Sequence, residues 1–67
     1  MKVTAVYTVW IPVEIPDNVK TPKSYTLEDG NAWNDIISSY SSEWQNLPKD
    51  CELYCVCDPQ TGKALWE

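Results

Sequence analysis

The sequence has no histidine, no arginine and no phenylalanine, and only two glycines among its 67 residues. Without histidine there is no Cys–His or Asp–His nucleophile pair, no Cys2His2 zinc site and no side chain with an unperturbed pKa near neutrality. Without arginine, contact with phosphate would rest on Lys2, Lys20, Lys23, Lys49 and Lys63, against ten acids and a net charge of −5. Nucleic-acid binders use Lys and Arg to displace phosphate counterions, so direct nucleic-acid binding is not expected. The acids are spread along the whole chain, which suits solubility or a basic protein partner.

Long apolar runs are also missing. The segment from Val3 to Val13 behind Lys2 superficially resembles a signal peptide, but Thr4 and Thr8 interrupt it, Pro12 and Glu14 close it, and no small-residue cleavage site follows. Nothing approaches the roughly 18 apolar residues a membrane span needs. A cytoplasmic protein, in the producing or a host cell, is the expectation, with no membrane partner.

A chain this short leaves room for one domain, residues 1–67, and buries only about 60% of its unfolded surface. A deep, water-excluding cleft is not expected, and neither is an enzyme. The missing phenylalanine is made up by four Trp and four Tyr, so the core must be partly aromatic.

Residues 2–11 read as one strand, since Val3, Ala5, Tyr7, Val9 and Ile11 share one parity and Thr4, Val6, Thr8 and Trp10 the other. Residues 12–25, with Pro12, Pro16 and Pro22, read as an irregular connection. Thr26-Leu27-Glu28-Asp29 has the spacing of a capping box. From it a helix over 27–46 would stack Trp33, Ile36, Ile37, Tyr40 and Trp44 on one stripe, with Leu47 just beyond, before Pro48 stops it. Residues 51–57 alternate again, and Asp58-Pro59-Gln60-Thr61-Gly62 has hairpin-turn chemistry leading to a strand over 63–67.

The fold class is therefore α+β: a small single-layer β-α-β-β unit, with a mostly antiparallel three-stranded sheet and one helix packed on one face. A right-handed crossover would make the first two strands parallel. The short apolar stretch Ala64-Leu65-Trp66 favours a central place for the last strand.

Cys51, Cys55 and Cys57 share a parity and read as small hydrophobes under the helix. Strand rise separates alternate side chains by about 6.5–7 Å, too far for one metal, and there is no histidine or fourth cysteine to complete a tetrahedral set. No metal and no cofactor is expected, and a thiol or metal protein is a remote alternative. Thr61-Gly62-Lys63 is not the end of a phosphate loop, because Cys57 stands where the first glycine belongs and Ala64 replaces the hydroxyl residue.

One helix covers one sheet face, so the other must meet solvent, a partner or residues 14–25 folded back as a lid. On that second face the alternation places Val6, Trp10, Tyr54 and Val56, joined by Trp66 or Leu65 according to the register of the last strand. Trp and Tyr concentrate binding energy at interfaces. The acidic helix adds Asp35 and Glu43 as further interface candidates. The expected function is a non-enzymatic protein-binding module with a basic partner. It has the size and charge of phage-encoded modulators or inhibitors that dock on host proteins or occlude a nucleic-acid-binding groove. The alternative is self-assembly, as a homodimer through the aromatic sheet face or by continuation of the sheet edge to edge.

Overall fold

The computed structural model describes all 67 residues. Strands β1 (Lys2–Val6) and β2 (Trp10–Glu14) are followed by helix α1 (Leu27–Tyr40), a 3-10 turn (Glu43–Asn46), and strands β3 (Cys55–Cys57) and β4 (Ala64–Trp66). The strands form one antiparallel sheet in the order β2-β1-β3-β4. The fold is α+β with one helix, and its sheet has four strands rather than the expected three.

The additional strand comes from residues 2–14, which form a hairpin and not a single strand. In its register Val3 faces Val13, Ala5 faces Ile11 and Val6 faces Trp10. Paired positions sum to 16, so odd residues meet odd residues and both strands keep the same core parity. In the bend itself, Tyr7-Thr8-Val9, Tyr7 is buried, whereas Val9, expected on the core face, is exposed because it lies beyond the last paired residues. The bend has no glycine, asparagine or aspartate, and the only positive φ in the chain is at Gly62. It is closed by a hydrogen bond from Tyr7 N to the Val9 carbonyl and anchored by the buried Tyr7 ring. Pairing continues past β2, where Ile15 N donates to the Met1 carbonyl.

The extra reversal changes the topology. β1 and β3 are antiparallel neighbours, not parallel, and β4 lies at the edge, not in the middle. Since β2 and β3 both oppose β1, they run in the same direction on either side of it. The connection through residues 15–25 and α1 therefore crosses over β1.

Helix α1 starts as the sequence predicts. Thr26 is the N-cap, and its Oγ1 accepts from Asp29 N at 3.2 Å. The Asp29 carboxylate does not close the box on Thr26. It accepts from the backbone N and the hydroxyl of Ser24 instead, and these bonds hold its pKa below the usual carboxylate value. Replacing Thr26 with alanine is expected to cost about 1 kcal/mol in urea unfolding, whereas serine at that position should cost little.

The helix ends at Tyr40, six residues short of the expected 46. Ser38 and Ser39 both donate their hydroxyls to the Asp35 carbonyl, at 2.8 and 2.9 Å, and this local bonding competes with the helical ladder. At Ser41 the backbone becomes extended, with φ −118° and ψ 122°. Trp44 and Leu47 still reach the flank of the core, but from the 3-10 turn and its end.

The core lies between α1 and the odd face of the hairpin: Val3, Ala5, Ile11, Val13 and Ile15 against Trp33 and Ile37, with Val56 and Trp66 from β3 and β4. Trp66 lies flat on Gly30 of the helix, and its Nε1 donates to the Thr26 carbonyl at 2.9 Å. The first helical turn is thereby fastened to the edge strand.

Candidate interaction face and its cysteine pair

The second sheet face is built from the even residues of the hairpin. Across it run two rows set by strand register: Trp10, Val6 and Cys55, then Pro12, Thr4, Cys57 and Ala64. Lys2 and Glu14, also paired, form the polar end. Residues 15–25 do not cover this face. Ile15 and Val19 pack against the helix-side core, and the Tyr25 hydroxyl donates to the Ala64 carbonyl. Trp10 is 77% exposed and Tyr54 74%, with Val9 in the bend also open to solvent. Tyr54 is held at the same end of the sheet, its N donating to the Val6 carbonyl at 2.7 Å.

Two residues expected on this face are elsewhere. Val56 is fully buried in the helix-side core, because the register pairs it with Ala5. Trp66 is 9% exposed and packs on Gly30. Val6 is half-buried on the second face as expected. Asp35 and Glu43 are exposed, on α1 and on the 3-10 turn, so the structure does not bring them together with Trp10.

Val56 moves to the core because the alternation of residues 51–57 slips by one position. Cys51 and Leu53 pack against the core before the strand begins, as their parity suggests. No ladder holds that stretch, and from Cys55 onward the pairing with β1 matches odd to even positions. Cys55 and Cys57 consequently leave the helix side and join the second face. Nothing in the alternation alone marks the slip; the adjacent burial of Cys55 and Val56 does.

The cysteine geometry also differs from expectation. Cys55 Sγ and Cys57 Sγ are 3.7 Å apart, because the two side chains converge across the pleat instead of standing apart by the strand rise. Cys51 lies apart from them, with its Sγ 3.3 Å from Thr8 Oγ1. Burial pushes the Cys55 thiol up to about 11, helped by Cys57 and the Glu67 charge. At neutral pH this thiol is protonated, and the thiolate is the nucleophilic form.

Elsewhere the surface carries shallow depressions. One of about 310 Å³ lies between α1 and residues 51–53, where Asn31, Asn34, Cys51 and Glu52 border it. Beside it the Tyr7 hydroxyl donates to Asn34 Oδ1, and burial raises the Tyr7 pKa above its usual value. This contact ties the hairpin bend to the helix. No helix is long and apolar enough to cross a membrane.

No family model, curated protein or solved structure matches this chain. Its functional reading rests on the residues of the open face.

Proposed function

We propose that this protein is a non-enzymatic binding module that docks on a larger, basic protein through the end of the open face formed by Val6, Val9, Trp10 and Tyr54. The observation that carries this reading is the 77% exposure of Trp10 at the end of a strand whose other large apolar side chains are buried. The sheet register fixes the Trp10 backbone and the indole has only two side-chain torsions to order, so little conformational entropy opposes binding. The net charge of −5 favours a basic partner and rapid encounter with it. Occlusion of a basic, nucleic-acid-binding groove by carboxylates standing in for phosphates is the mode of action that fits this charge.

A photo-crosslinking residue at position 10 tests the reading. The expected product is a salt-sensitive adduct with one heterologous basic protein. Trp10→Ala should weaken that complex at least tenfold while leaving the unfolding midpoint nearly unchanged. Adducts only with its own copies would replace this reading with a homodimer through the same face, and no adduct would remove both. Extension of the sheet edge to edge is disfavoured on structural grounds. Pro12 blunts the β2 edge, while β4 has three residues and an irregular register against β3.

A further inference from the structure

The docking reading makes no use of the paired thiols on the same face. Their separation of 3.7 Å is far from the roughly 2.05 Å of a disulfide. Two residues apart on one extended strand, their Cα atoms sit near the upper limit of disulfide geometry, so closing that bond would require backbone distortion. The same separation agrees with the bite of a single metal ion. With metal–sulfur bonds of about 2.3 Å and a tetrahedral angle, two thiolates stand about 3.8 Å apart. Thiolates are also the ligands that select soft, thiophilic ions.

We propose that Cys55 and Cys57 form a bidentate dithiolate site for one soft d10 metal ion on the second sheet face. No cluster of three or more Cys, Asp or Glu side chains is arranged to enclose an ion, so the remaining coordination positions are open to solvent or to an exogenous thiol. Binding converts two thiols to thiolates and releases two protons to solvent per ion, with no change of oxidation state. Cys51 takes no part: its sulfur is turned to Thr8 at the hairpin bend.

Titration of the reduced full chain with Cd²⁺ alone, followed by near-ultraviolet absorbance and native mass spectrometry, tests this. The expected result is a thiolate-to-cadmium charge-transfer band that saturates at one ion per chain, with the mass of the complex showing two protons lost. Cys57→Ser should weaken binding at least tenfold, and Cys51→Ser should leave it unchanged. Cys57 is only half-buried, so its serine variant is expected to fold, and a native circular-dichroism spectrum confirms that. Absence of the band, its persistence in Cys57→Ser or its loss in Cys51→Ser overturns the proposal. So does a mass two daltons lower after mild air exposure without metal, which would mark a disulfide pair.

Discussion

Gly30→Ala is expected to destabilise the fold by about 1–3 kcal/mol, the range for overpacking a close-packed core. An exposed glycine inside a helix gives the opposite result, because alanine there gains about 1 kcal/mol of helix propensity. At Gly30 a Cβ would overlap Cζ2 of Trp66 and stand 2.8 Å from two more atoms of the same ring. The ring cannot retreat easily. Its Nε1 is bonded to the Thr26 carbonyl, and its backbone is paired opposite Val56. Either α1 lifts away from β4 or the indole leaves its place, and both expose core. The check is a double-mutant cycle by urea unfolding. In a Trp66→Leu background, which keeps an apolar side chain and removes the indole, Gly30→Ala should change sign and stabilise by up to about 1 kcal/mol. A stabilising Gly30→Ala in the wild-type chain would mean that Trp66 does not lie on Gly30.

This contact also shows where the sequence stops being informative. Trp66 could be assigned to a strand from its neighbours, but its side depended on a β3–β4 register with an irregularity at Val56 and Cys57. Local pattern cannot encode such a shift. Nothing near Gly30 in the sequence marks it as the seat of a ring, because the ring comes from 36 residues further along. By contrast, the helix start was legible. Thr26 and Asp29 lie three residues apart, and the hydrogen bond between them needs no tertiary partner.

The hairpin marks a different limit. Alternation reports which face a residue takes, not the direction of the chain. A reversal whose paired positions sum to an even number keeps every residue on its face. Val3, Ala5, Tyr7, Ile11 and Val13 are buried as one long strand would bury them, while Val9, which shares their parity, is exposed at the bend. The turn went unseen because Tyr7, Thr8 and Val9 are strand-forming residues held in a bend by tertiary contacts: the buried Tyr7 ring, its bond to Asn34 and the Thr8–Cys51 contact. The open face inherits both effects. The parity of a single strand over residues 2–11 places Val6 and Trp10 on the open face, and that parity survives the reversal. Val56 was misplaced, and Cys55 and Cys57 were assigned to the helix side, because β3 changes phase where it enters the ladder.

The largest loss is expected at Trp33. Its side chain is essentially fully buried among the residues that join α1 to the sheet, and truncating such a ring to alanine costs about 3–5 kcal/mol. A domain of this length has a total stability of only about 3–10 kcal/mol. Trp33→Ala should therefore leave little or no cooperative unfolding transition at 25 °C, with near-ultraviolet dichroism lost. Trp33→Phe separates the ring's apolar contribution from its polar atom. The Trp33 Nε1 is buried with no hydrogen-bond partner, and an unmatched buried donor costs about 1–3 kcal/mol. Phenylalanine removes that N–H together with part of the ring, so the two changes oppose each other and the net shift should stay within about 1 kcal/mol. A Trp33→Phe loss as large as that of Trp33→Ala would mean that the indole N–H has a partner in solution, such as an ordered water. The apolar contacts between α1 and the sheet would then carry less of the stability than their burial indicates.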